Sequence, residues 1–279
     1  MRPTVRSRRL GTRLSGYRQE KGLSGAAVAS ELGIQQPHWS KIETGKARIS
    51  PEQLQRASKL LEIPADTAAQ LEQLRQRAEE PGWWQDYGDV LSEPVQMLIE
   101  LEAAASRILT YQASVMPGLL QTRRYAERVI TAGAPHLRIG DIDRYLQLRM
   151  RRQRRLAEGL QVRAVLSEAV IRQQVGGQEV YLEQLRHLIA ATTEFDVSLQ
   201  VVPFTADAHA ALGDQFTIIE WADEQDPQAV YLDGQTSWTV HERAGLIRQY
   251  LHAFASAQTA ALPVRESLML VESLIEELE

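Results

Sequence analysis

Apolar residues recur at helical spacing through the first quarter of the chain. Leu10, Leu14 and Tyr17 fall at i, i+4 and i+7, which predicts a first helix ending near Gly22. Val28 and Leu32 form a second apolar stripe, and Trp39 and Ile42 a third. Gly33 supplies a tight turn between these two short helices, and Ala29 is small where the partner helix would come close. Ser24 stands where it can cap the second helix. Ser50-Pro51-Glu52-Gln53 combines an N-cap, a proline at the first helical position and a capping-box glutamine. The helix that starts there carries Leu54, Leu60 and Leu61 inward. It closes at Ile63-Pro64, because a residue before proline avoids the helical region. Residues 65–80 read as a polar fifth helix with Leu71 and Leu74 on one side, either connecting two domains or pairing two protomers. The pattern predicts an all-α, five-helix N-terminal domain over residues 1–80.

Pro81-Gly82-Trp83-Trp84 breaks that pattern, and the segment to Ser92 reads as a loop with aromatic anchors. Ser92-Glu93-Pro94 begins a long helix expected to run through Ile108, and Pro117-Gly118 breaks the chain again. Helices follow over about 122–131 and 141–158. The period then changes. Residues 161–167 alternate like a strand, and helical segments follow near 168–175 and 178–192. Short strands are expected at 197–202, 215–220, 229–232 and 237–240, with Asp233-Gly234 as a hairpin signal between the last two. Helices over 242–257 and 263–278 finish the chain. Residues 81–279 are therefore expected to form an α+β domain with a small antiparallel sheet and helices packed on it.

Residues 23–45, LSGAAVASELGIQQPHWSKIETG, have the pattern of a helix-turn-helix, whose second helix lies in the DNA major groove. Residues 7–63 resemble the Cro/CI-type, or xenobiotic-response-element, helix-turn-helix family. Val28-Ala29, Leu32-Gly33-Ile34 and Ile42-Glu43-Thr44-Gly45 carry the resemblance at the family's spacing. The chain departs from the family at Gly25, where many members hold a glutamine on the DNA backbone, and at Pro37, where a polar base-reading residue is common. The resemblance implies that Gln36, Pro37 and Lys41 face base edges, where glutamine pairs with adenine and lysine with guanine. Ser24, Gln35, His38, Ser40, Lys46 and Arg48 are expected on the phosphate backbone, and Trp39 and Ile42 in the core. Such heads work as dimers, so the implied partners are a second copy and a pseudo-palindromic operator in double-stranded DNA.

Charge supports this reading. Residues 1–63 hold twelve Lys or Arg against five Asp or Glu, a net of +7, and the remainder holds nineteen against thirty-one, a net of −12. All four lysines (Lys21, Lys41, Lys46, Lys59) lie in the basic head, as an electrostatic footprint on DNA requires. No cysteine is present, so neither disulfides nor thiolate metal sites arise. No signal peptide or apolar run of membrane-spanning length is visible, and the expected location is the cytoplasm.

A second resemblance covers the rest of the chain. Residues 115–122, VMPGLLQT, followed by Tyr125-Ala126, look like the hallmark of an actinobacterial regulator family. Arg149-x-x-Arg152-Gln153, the EAVIRQQVGG stretch from Glu168, residues 199–204 (LQVVPF) and residues 230–233 (VYLD) fit the same family. It joins a Cro/CI-type head to a C-terminal domain of poorly defined function. Its members are often encoded beside a small acidic protein and are described as antitoxin-like transcriptional regulators. The resemblance therefore implies a small acidic protein or a ligand as partner. PGLLQT reads either as a turn whose leucines fill the core or as a groove in which Gln121 and Tyr125 face a visitor. Arg144, Arg149, Arg151, Arg152, Arg154 and Arg155 read either as a solvated helix face or as a second nucleic-acid surface.

Catalytic chemistry is not signalled. His38, His136, His187, His209, His241 and His252 show no metal-ligand spacing, and no P-loop, G-x-S-x-G or dinucleotide fingerprint occurs, so neither enzyme activity nor a cofactor is expected. His209 with Asp214 is the one acid–base pairing worth testing. The expected function is a sequence-specific transcriptional regulator whose C-terminal domain receives a protein or small-molecule signal. The alternatives are an antitoxin-like protein that sequesters a small partner and autoregulates its operon, and an enzyme with a DNA-targeting head.

Overall fold

A computed structural model describes residues 4–79, 82–88, 91, 93–133, 138–222, 228–234 and 238–279. The chain divides into two compact units, Met1–Gln85 and Asp86–Glu279.

The first unit is helical: α1 (Val5–Glu20), α2 (Gly25–Leu32), α3 (Gln36–Glu43), α4 (Pro51–Leu60) and α5 (Ala65–Glu79). Local chemistry sets its boundaries. Thr4 and Ser7 form a capping box at α1, and Ser50 and Gln53 form the predicted one at α4. Gly33 ends α2 at φ 69°, the left-handed conformation that glycine adopts without penalty. Leu10, Leu14, Val28, Ala29, Leu32, Trp39, Ile42, Leu54 and Leu61 close into one buried core, as their spacing predicted. The fifth helix differs from expectation. Leu71 is fully buried in that same core, with Ala68 and Leu74 packed beside it. α5 is thus part of the head's own hydrophobic packing and not only a connector. The Arg6 guanidinium ties α1 to the end of α5 by donating to the Arg77 carbonyl at 2.7 Å.

The second unit is built on a six-stranded mixed sheet, larger than the small antiparallel sheet expected from sequence. In chain order its elements are α6 (Glu93–Ala104), β1 (Arg107–Gln112), α7 (Arg123–Gly133), α8 (Ile139–Ala157), β2 (Gln161–Ser167) and α9 (Glu168–Arg172). Then follow α10 (Gln178–Glu194), β3 (Val197–Val202), β4 (Phe216–Glu220), β5 (Ala229–Asp233), β6 (Trp238–His241), α11 (Ala244–Ala260) and α12 (Val264–Glu276). The strand order is β3-β2-β1-β4-β5-β6. β1, β2 and β3 run parallel, joined by helical crossovers, whereas β4, β5 and β6 add antiparallel on the other side of β1.

The correction turns on β1. The helix expected through Ile108 stops at Ala104, and Arg107–Gln112 is a strand instead. Ile108, Leu109, Thr110 and Tyr111 are all buried, because β1 lies between two neighbouring strands and is covered on both faces. A strand covered on both faces has no apolar–polar alternation, the signal that separates strand from helix in a sequence. On one face, Ile247, Phe254 and Ala257 of α11 pack with Leu109, Phe216 and Ile218. The outer edge of β3 is sealed: Ser267 Oγ accepts from the Val201 N–H, and the Leu262 N–H donates to the Val201 carbonyl. Asp233 pairs with Trp238 across the β5–β6 connection, and the hairpin residues beyond Gly234 lie outside the described residues.

Candidate nucleic-acid interface

The helix-turn-helix is formed by α2, the Gly33 turn and α3. Ser24 Oγ accepts from the Ala27 N–H at 3.1 Å and fixes the start of α2. The Ile34 N–H donates to the Ala29 carbonyl at 2.9 Å and closes the turn. Pro37 sits in the first turn of α3, where a missing N–H costs nothing. Trp39 and Ile42 point inward with 0% and 2% exposure, so the opposite face of α3 is left to solvent. That face presents Gln36, Pro37, Ser40 and Lys41, with Gln35 and His38 exposed at its start. Ser24 at the head of α2 is exposed too, as are Lys46 and Arg48 in the loop after α3. Every residue singled out for DNA contact is at the surface of the head.

Two glycines and one ion pair hold α3 in place. A Cβ on Gly11 of α1 would lie 2.4 Å from the carbonyl oxygens of Ile42 and Glu43, so the two helix backbones touch there. Gly45 has φ +70°, and its Cβ would lie 2.7 Å from the Arg8 backbone nitrogen. Arg18 binds Glu43 through Nε at 2.6 Å and also donates to the Leu23 carbonyl at 2.9 Å. Arg18 and Glu43 are only 16% and 13% exposed, and their pairing joins α1, the α1–α2 turn and α3. The Ile-Glu-Thr-Gly tail is thus a clamp. Neither Gly11 nor Arg18 stood out in the sequence, because their role depends on a long-range contact with α3.

In the second unit, the PGLLQT segment meets Arg149 and Gln153 of α8 in one largely buried polar network. Gln121 and Tyr125 do not face a groove. They are 2% and 0% exposed, and the structure corrects the groove-facing orientation weighed for them. Gln121 Nε2 donates to the Met116 carbonyl at 2.7 Å, and the Met116 N–H donates to the Tyr125 hydroxyl at 3.3 Å. Burial pushes the Tyr125 hydroxyl pKa up, partly offset by that N–H. Arg149 donates to Gln121 Oε1 at 2.5 Å, and Gln153 Nε2 donates to the carbonyls of Gly118 and Gln121. From α10, the wholly buried Gln184 receives the Thr122 N–H at 2.7 Å and donates to the Leu120 carbonyl. Glu168 performs the same service for the 199–204 stretch, accepting from the Phe204 N–H at 2.7 Å while pairing with Arg172.

The arginines of α8 are drawn into the protein's own interactions. Arg152 makes a two-bond pair with Glu102 of α6 at 2.7 and 2.6 Å, with side chains 10% and 6% exposed. Arg151 pairs with Asp86, Arg155 with Glu158 and the Ala105 carbonyl, and Arg144 with the Asp86 carbonyl. Arg154 is exposed. His209 does not pair with Asp214. Its Nε2 lies 3.5 Å from the Tyr111 hydroxyl and its Nδ1 takes the Ala211 N–H, whereas Asp214 acts on Tyr250. His136 lies outside the described residues. Among the described residues, no cluster of three or more His, Cys, Asp or Glu is placed to hold a metal ion. Nor is any helix among them long and apolar enough to cross a membrane.

Comparison with protein families matches residues 95–273 to a domain of unknown function (DUF5753), and residues 9–71 to a helix-turn-helix domain. No curated protein matches the chain.

Proposed function

We propose that this chain, which belongs to the DUF5753 family, is a sequence-specific transcriptional regulator of the Cro/CI type. On this reading it works in the cytoplasm as a homodimer on a pseudo-palindromic operator. The helix-turn-helix match supports DNA binding. One observation carries the finer reading: α3 is clamped from behind by Gly11, Gly45 and the Arg18–Glu43 pair, while its outer face presents only polar, cationic and proline side chains. A rigid helix with a hydrophilic outer face, set in a basic head, is what reading a major groove demands. Two heads would engage half-sites about 34–36 Å apart, one helical turn. The second domain is the receiver of the regulatory signal. Its resemblance to the actinobacterial PGLLQT regulators favours a small protein partner. An antitoxin-like role, with DNA binding serving autoregulation, is the alternative.

The first test is recovery of bound genomic fragments, which supplies the operator. On that operator, Gln36→Ala and Lys41→Ala are each expected to cost about 1–3 kcal/mol and to relax preference at one position. Wild-type binding by both variants would mean that α3 does not read bases. Lys46→Ala and Arg48→Ala are expected to act differently. Each should weaken operator and random DNA alike, lowering the slope of log affinity against log salt by about one unit. A loss confined to the operator would contradict phosphate contacts at Lys46 and Arg48.

A further inference from the structure

The Trp39 ring fills the head's core and is 0% exposed, yet its Nε1–H has no hydrogen-bond partner among the described residues. An indole nitrogen can only donate, and buried donors in native proteins are nearly always paired. The direction of this one is informative. A Cβ built on Gly25 would stand 3.4 Å from Trp39 Cδ1 and 3.9 Å from Nε1, so the N–H edge of the ring faces the first residue of α2. Gly25 has no side chain to fill that slot. The same slot lies at the positive end of α2, whose first turn carries no acidic residue. Ser24 satisfies the Ala27 N–H, and the N–H groups of Gly25 and Ala26 have no partner within the helix. Gln36 Nε2 stands 4.0 Å from the same Gly25 position, so a side chain exposed on α3 forms the rim.

We propose that Trp39 donates its indole N–H to a phosphodiester oxygen of bound DNA, in the slot left open by Gly25 at the N-terminus of α2. This rests on the DNA-binding reading above and adds a residue to it. Three donors converge on one anion: Trp39 Nε1–H and the backbone N–H groups of Gly25 and Ala26. In the free protein the indole nitrogen is enclosed, with Gln36 at the edge of the slot. When Gln36 turns to a base edge, the slot opens to the backbone beside it. Base reading and backbone anchoring are thereby coupled through one side chain.

The test uses the full-length protein with 15N-labelled tryptophan and a short random-sequence duplex. The Trp39 indole signal is assigned by its proximity to Gly25. On saturation with duplex it is expected to move downfield and to exchange more slowly with water, and added salt should reverse both changes as the duplex dissociates. In Gly25→Gln the new side chain occupies the slot, so duplex should still bind while the Trp39 signal stays in place. Trp39→Phe, where it folds, should lose about ten- to a hundredfold in affinity equally on all sequences, the worth of one charge-assisted hydrogen bond. Duplex binding without movement of the Trp39 signal overturns the proposal and leaves the DNA-binding reading intact. A movement that persists in Gly25→Gln also overturns it. If no duplex perturbs any signal of the head, both readings fail.

Discussion

Gly11→Val is expected to unfold the helix-turn-helix while leaving the six-stranded sheet in place. The added Cβ would meet the carbonyl oxygens of Ile42 and Glu43 at 2.4 Å, and these are backbone atoms that no rotamer change can move aside. Relief requires α1 and α3 to separate, which opens the core formed by Leu10, Leu14, Trp39 and Ile42. Overpacking of this kind costs about 1–3 kcal/mol, and more where backbone is involved. A small helical domain has a stability of only about 5 kcal/mol. Gly45→Ala should act in the same direction for two reasons, since φ +70° disfavours any Cβ and the Arg8 backbone already fills the space. Hydrogen exchange checks this locally. Amides of α1 and α3 should lose protection in both variants, those of β1, β2 and β3 should keep it, and DNA binding should disappear. Native protection across α1 and α3 in Gly11→Val would show that the two helices do not make this close approach.

The head was legible in the sequence because its determinants are local. Periodicity placed Leu10, Leu14, Val28 and Ile42, and the side-chain chemistry of Ser24, Gly33 and Ser50 placed the helix ends. In the second domain, Gln161–Ser167 and Val197–Val202, which open with buried and partly exposed residues in alternation, were placed residue for residue. β1 was missed because four consecutive residues of it, Ile108 to Tyr111, are buried and show no alternation, and the error propagated: without β1 nothing joins the parallel pair β2 and β3 to the antiparallel β4. Gln121 and Tyr125 illustrate a different limit. A glutamine and a tyrosine in a distinctive motif look the same in a sequence whether they serve a ligand or their own backbone. Arg149, Gln153 and Gln184, which decide the matter here for Gln121 and its neighbours, lie about 30 to 60 residues away, at sequence separations of 28, 32 and 62.

The largest single effect in the second domain is expected at Arg152. Its guanidinium is buried against the Glu102 carboxylate by two hydrogen bonds, which joins α8 to α6. Arg152→Met would leave Glu102, 6% exposed, as an uncompensated buried charge. Breaking one side of such a pair typically costs about 3–5 kcal/mol, far more than the pair's net contribution to folding. The damage should spread to the turn at Gly118–Leu120, because Arg149 and Gln153 reach that turn and Gln121 from the same stretch of α8. Random-duplex affinity should stay within about twofold of wild type, since the head's core does not involve these residues. The companion variant separates charge from packing. Arg152→Met combined with Glu102→Leu removes both partners, and most of the lost stability should return, because apolar replacement of a buried ion pair is often neutral or better. The midpoint of urea unfolding, followed by a probe in the second domain, reads both effects. If the single and double variants unfold at the same concentration, the cost lies in lost packing around the arginine stem, and the ion pair is not what holds α8 to α6.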